Sequence, residues 1–497
     1  MPFLGRSSIS MILLGTSLAI AQAPAAPPSG PTLPYSVSVY DRLRTNAISF
    51  YGAPPYTSTY PYVEQLLRVS VAQKIKKFDW QLELSENNVF DVPTTSVSPV
   101  TAQGQLFLGG TYYASNNSNT LPVAASFKQG FLRYHGAGLD KTIRLGRFEF
   151  FDGMETTPKD ATIGWLQNNR VQQRLIGNFG FSNGQRSFDG IDAHYGKGTW
   201  DITAMAARAD QGVFNMNGNP ELNVDIQYLA YTKTDFKQHL LWRVFAIDFH
   251  DGRPNVVKTD NRALAVRTAD HRNIRLGTYG ADAVTSVPAG PGNLDFLFWG
   301  VLQNGNWGVQ NQHSGAVAVE GGYRLTHVAS KPWLRGGFFR STGDNNPTDD
   351  QHNTFVQLLP TPRQYARFPF FNAMNSSDQF VQFIDNPNKK LEIRSDLHFL
   401  QLTSANDLWY QGGGAYDKNV FGFQGRPAAN HNSFASLYDI SSDYALTPSL
   451  ALNLYYAHSF GKSVVAADYP AGKSANFGYL ELVYKWGVKQ KPIATKK

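Results

Sequence analysis

The 497-residue chain contains no cysteine. That absence removes disulfides, thiolate metal sites, a cysteine nucleophile and cysteine lipidation at once. Charge is scarce too: Asp, Glu, Lys and Arg make up 17% of the sequence, against about 25% in ordinary soluble proteins. After residue 23 no apolar run approaches the ~20 residues of a membrane-crossing helix, and apolar residues at helical spacing are hard to find. The 11 histidines form no H-E-x-x-H or H-x-H pair, and G-x-S-x-G and the phosphate-binding glycine loop are missing, so neither a metal centre nor a cofactor is expected. The net charge of +7 comes from 45 basic and 38 acidic residues, too mild and too mixed to point to nucleic acid. What the chain has in quantity is aromatic: 33 Phe, 24 Tyr and 9 Trp, with 44 Gly. That apolar load excludes disorder.

The first segment reads as an address. Arg6 supplies a positive start, residues 9–20 form a short apolar core, and Ala21-Gln22-Ala23 fits the small-x-small cleavage rule. Residues 1–23 are therefore predicted to be a signal peptide. Residues 24–34 (P-A-A-P-P-S-G-P-T-L-P) read as a stiff, extended leader.

From there the chain alternates with period two. At residues 476–486, Leu480, Leu482, Tyr484 and Trp486 share one parity while Tyr479, Glu481 and Lys485 take the other. Successive side chains of a strand point to opposite faces, so such a segment has one apolar side and one charged side. The same reading holds at residues 35–44, where Val37, Val39 and Leu43 oppose Arg42 and Arg44, and at residues 63–75, where Val69 and Val71 oppose Arg68 and Ser70. Trp80, Leu82 and Leu84 face away from Asp79, Gln81 and Glu83; Trp200, Ile202 and Ala204 face away from Asp201 and Thr203. Turn clusters such as Gly196-Lys197-Gly198 and Pro291-Gly292-Asn293 separate these segments.

Roughly 16 to 18 such segments, short turns, longer polar loops and many aromatics are the signature of an outer-membrane barrel. Lipid offers no partner to a backbone N–H or C=O, so a sheet that spans it must close on itself. The expected architecture is all-β: a single transmembrane antiparallel β-barrel over residues 35–486 with a water-filled, charged lumen, then a basic tail at 487–497. At that strand number the interior is wide enough for water and solute.

Three motifs carry a resemblance. I-R-L-G-R-F-E-F-F-D-G-M-E (residues 143–155), R-V-Q-Q-R-L-I-G-N-F-G-F (170–181) and R-S-F-D-G-I-D-A-H-Y (186–195) resemble the alginate export family. The Ser/Gly/Asp-rich stretch at 341–361 and W-G-V-L-Q-N-G at 299–305 are similar to that family more weakly. The resemblance implies an 18-stranded barrel in the outer membrane. An anionic polysaccharide would leave through its arginine-rich pore, with outer-membrane lipid and periplasmic export components as partners. The basic tail after Trp486 departs from the usual aromatic ending of such barrels.

Arginine keeps its charge and pairs carboxylates two bonds at a time, so it suits a uronate polymer. The period places Arg42, Arg68 and Arg133 inward. Arg147 and Glu149 share a parity with Ile143 and Leu145, so the period points them at lipid while the motif resemblance turns them inward; a bulge would reconcile the two. The same motifs contribute Arg174, with Asp152, Asp189 and Asp192 as partly neutralising acids. The long loop at 341–377, carrying Phe355, Tyr365, Phe368, Arg363 and Arg367, is expected either to fold into the pore or to stand as a plain extracellular loop. The leading function is a channel for an anionic polysaccharide, without chemistry. A general or substrate-selective porin is the alternative, and a secreted polysaccharide-degrading enzyme using Asp152, Glu155 and Asp160 is the reading from another class.

Overall fold

The computed structural model describes residues 33–137, 140–359, 364–412, 418, 419, 421, 422 and 424–490. The expected signal peptide, the leader up to residue 32 and the tail from residue 491 lie outside them, as does Arg363. The alternating segments are strands, among them Ser36–Ser49, Thr59–Ile75, Phe78–Phe90, Trp200–Asp210, Leu450–Gly461 and Ser474–Val488. Neighbours in the chain pair antiparallel, and the first strand pairs the last from Val37↔Val488 to Ser49↔Asn476, which closes the sheet. One member of the nineteen-stranded sheet is the two-residue segment Gln351–His352, so the wall is a closed eighteen-stranded barrel. The final strand runs two residues past the predicted end at Trp486, with Gly487 and Val488 still paired to Ser38 and Val37.

The two parities meet different surroundings. In Ser36–Ser49, Arg42, Arg44 and Asn46 are buried while Leu43 and Thr45 are exposed; in Phe78–Phe90, Glu83 and Ser85 are buried beside exposed Leu82 and Leu84. Polar groups buried and aliphatic groups exposed invert the pattern of a water-soluble protein, as a wall between hydrocarbon and a polar lumen requires. Aromatic rings ring one end on the outside: Tyr195, Trp200, Tyr231 and Trp242 form a chain with centroids 5.6, 6.4 and 5.4 Å apart, and Phe78 meets Tyr134 at 5.3 Å. Amphipathic rings settle at the headgroup level, so this belt marks one membrane interface.

The two rims differ. At the belted rim, strands are joined by two-residue connections such as 76–77, 290–291, 389–390 and 448–449. At the other rim run the long connections 91–122, 149–187, 252–273, 342–375 and 403–432. Two residues (308–309) make the short exception there, and beside it Gln351–His352 adds itself in parallel to Asn311 and Gln312. Helices among the described residues are short, the longest being Phe107–Ser115, and none is long and apolar enough to cross a membrane.

The wall's sidedness has a direct test. Leu145 is 62% exposed on the outer face, next to the buried Arg144. Leu145→Arg is expected to cost about 2–4 kcal/mol, the penalty of a lipid-facing cation, read as a lower urea midpoint for folding into bilayers. Leu145→Ile should leave the midpoint in place.

Candidate functional site

The lumen is not empty. Residues 149–187, which leave the wall after Phe148, turn inward and cross it. Asp160 caps the short helix Ala161–Leu166, its Oδ1 accepting from the backbone N–H of Thr162 and Ile163 at 2.8 and 2.9 Å. The chain then reaches the opposite wall, where Arg42 donates to the carbonyls of Gly180 (2.7 Å) and Ser182 (3.1 Å) and to Asn183 Oδ1 (2.8 Å). Arg44 donates to Phe181 O at 2.9 Å and lies 4.0 Å over its ring.

Other cations pin the crossing segment from different strands. Arg68 holds Glu149 (2.9 Å) and Gln185 (2.7 Å). Arg170 and Arg174 of the segment share Glu320 with Arg335 of the wall, at 3.3, 3.4 and 3.0 Å. A buried ion pair returns its desolvation cost only when the remaining lone pairs are satisfied, and here most are. Asp152 Oδ1 accepts from the backbone N–H of Leu175 (3.2 Å) and Ile176 (2.9 Å), with Arg243 at 3.5 Å. Burial pushes the Asp152 carboxyl up to about 6 against the pull of Arg243 and of those N–H groups.

A second connection, 342–375, also folds inward. Its Leu359 N–H bonds Leu175 O at 3.1 Å, and Tyr365 Oη accepts from Arg174 at 2.9 Å, so the two inserted segments meet inside the barrel. Arg367 pairs with Asp443 at 3.0 Å and donates to Tyr479 Oη at 3.2 Å. The reading of this loop as a plain extracellular one is thereby corrected. At the long-loop rim Phe107, Phe368 and Phe477 pack edge to face or tilted with centroids 5.0 to 5.7 Å apart, and Trp409, Phe370 and Tyr51 continue the cluster. All six of these rings are fully buried at that rim.

Between the inserted segments and the strands near the seam lies a cavity. Five arginines line it, Arg42, Arg44, Arg170, Arg367 and Arg394, with four carboxylates, Asp396, Asp439, Asp443 and Glu481. Tyr365, Tyr455 and Tyr479 add hydroxyls and flat faces. Arg44 binds Glu481 at 2.8 Å and Arg394 binds Asp443 at 3.0 Å, so each cation is oriented by an acid.

The residues named from sequence separate into groups. Arg42 and Arg367 reach the cavity. Arg68, Glu149, Asp152 and Arg174 are buried where they anchor the inserted segments. Arg144 takes Asp192 at 3.0 Å inside the wall, and Arg133 pairs with Asp79 at 3.1 Å near the short-turn rim. Arg147 and Asp189 stand apart: they pair with each other at 2.8 Å on the parity of Ile143, Leu145 and Ile191, which faces outward. Period two therefore described Arg147 and the motif described Glu149, because the strand ends at Phe148 and parity stops counting there. Of Asp152, Glu155 and Asp160, the first two meet on one buried guanidinium, that of Arg243, at 3.5 and 3.2 Å, where they serve as its counter-ions, and Asp160 caps a helix. Arg44, Arg170 and Arg394 were missed, although each sits in a visible alternation or motif.

An eighteen-stranded wall with an apolar outside, an aromatic belt and a charged, partly filled lumen defines an integral outer-membrane channel of the porin type. The alginate export family matches residues 143–468, more than half of the sequence, and the chain belongs to that family. Among solved structures, OccAB4 of Acinetobacter baumannii aligns over 92% of this chain and 99% of its own, at 8% identity and a TM-score of 0.56. OccAB2 of the same organism covers 93% and 100% at 11% identity and 0.55. OpdK of Pseudomonas aeruginosa, solved with vanillate, covers 92% and 100% at 8% identity and 0.55. No curated protein matches the chain. The family and these neighbours are channels and porins, which weighs against the degrading-enzyme alternative.

Proposed function

We propose that the protein passes an acidic polysaccharide or its oligomers, in the export direction, through the arginine-lined cavity between its inserted segments and the wall. The observation that carries this reading is the presence of five arginines and four carboxylates around one cavity. A uronate chain presents about one carboxylate per sugar. Fork-shaped guanidinium groups bind it bidentately, and the interleaved acids weaken each site enough for release, as conduction requires. Tyr365, Tyr455 and Tyr479 offer faces and hydroxyls to sugar rings. The family's name supports a polymer of the alginate type.

A second reading, a porin selective for small carboxylates, is favoured by one observation: a structural neighbour was solved with vanillate. Planar-bilayer recordings separate the two. Anion-selective current blocked by uronate oligomers and unaffected by neutral sugars is the expected outcome. Block by a small monocarboxylate without block by the oligomers would favour the second reading, and current without anion preference would overturn both.

A further inference from the structure

Asp396 and Asp439 register directly opposite each other on the adjacent strands Leu391–Leu402 and Ser433–Thr447. Like charges facing each other across a ladder are destabilising. Among the described residues neither carboxylate has an ion-pair partner: Arg367 and Arg394 both go to Asp443, four residues further along. Asp439 accepts from the Tyr455 hydroxyl at 2.8 Å. His398, two residues from Asp396 on the same lumenal parity, is fully buried, and its Nδ1 meets Asp378 Oδ2 at 2.9 Å. Among the described residues its Nε2 has no hydrogen-bond partner, and neither has Asp396 Oδ1. One donor atom from each of Asp396, His398 and Asp439 lies within 4.8 Å of the others.

We propose that these three side chains bind a divalent transition-metal cation of the zinc type. Two carboxylate oxygens and one imidazole nitrogen are a ligand set for such an ion, and three protein ligands leave a fourth position open. Asp378 holds the imidazole by its other nitrogen, which fixes the tautomer and aims the Nε2 lone pair at the acids, the arrangement that supports a metal-bound histidine. Asp396 and Asp439 line the arginine cavity, so the open position faces the lumen and the ion removes two unpaired negative charges from the path. Binding stands independently of the proposed solute; the effect on anion passage rests on that reading.

The test uses the folded full chain in detergent, stripped with chelator and then dialysed against Zn2+. Elemental analysis is expected to find one tightly held equivalent that is lost in His398→Gln and in Asp439→Asn, whereas His327→Ala, in an exposed turn, keeps it. An anomalous difference peak between the three side chains in zinc-soaked wild-type crystals would support the site without any variant. A folded wild type that holds no zinc, or one whose zinc persists in both His398→Gln and Asp439→Asn, would overturn the proposal. If zinc binds as expected but leaves anion selectivity unchanged, the site stands and the proposed solute path past it fails.

Discussion

Replacing Arg42 and Arg394 together with glutamate is expected to turn an anion-preferring channel into a cation-preferring one. The two residues stand on strands that meet the cavity from different sides, and the exchange leaves three arginines facing six carboxylates there. A cleft lined by one sign of charge concentrates counter-ions by factors of about 10 or more. The anion-to-cation permeability ratio should therefore fall by at least roughly tenfold, read as a reversal potential of opposite sign in a salt gradient. The companion exchange Arg147→Glu, on the outer face, should leave the reversal potential where it is. Unchanged selectivity in the double variant would remove the cavity from the ion path.

Replacing residues 156–184 with a short glycine-serine linker should raise unitary conductance several-fold and abolish discrimination between uronate oligomers and neutral sugars. An eighteen-stranded wall encloses a lumen far wider than a sugar chain, so the inserted segment, not the wall, sets the bore. The wall itself is held by its ladder of strand pairs, which the deletion does not touch. Heat-modifiable gel mobility reports that the barrel still forms. Conductance equal to wild type would mean that the path runs elsewhere.

Much of the wall was legible because a membrane strand has only two surroundings and alternates between them. Leu480, Leu482 and Tyr484 could be assigned to one face by counting. The same counting offered Glu392, Arg394, Asp396 and His398 as one row against Ile393, Leu397 and Phe399, a signal that was present and unused. The inward course of residues 149–187 was not legible. Its Gly- and Asn-rich composition is that of any exposed loop, and its burial depends on Arg42, Arg44, Glu320 and Gln357, residues as far as 183 positions away. The same holds for the Asp396–His398–Asp439 cluster, which strand register assembles from residues 43 apart at its widest.

The two-residue ladder between Gln351–His352 and Asn311–Gln312 has a mechanical consequence. It rivets the second inserted connection to the rim just before that connection descends, beside the single place where the rim is low. The grip extends past the rivet, with Gln312 donating to Thr354 O and Gln303 to Val356 O, both at 2.8 Å, so a swing that uncovers the bore pivots beyond Val356, carrying Phe368 and Phe370 as a hinged flap, while Ser341 and the residues up to Val356 stay with the frame. A cross-link placed below the pivot would lock the flap; one placed above it would not.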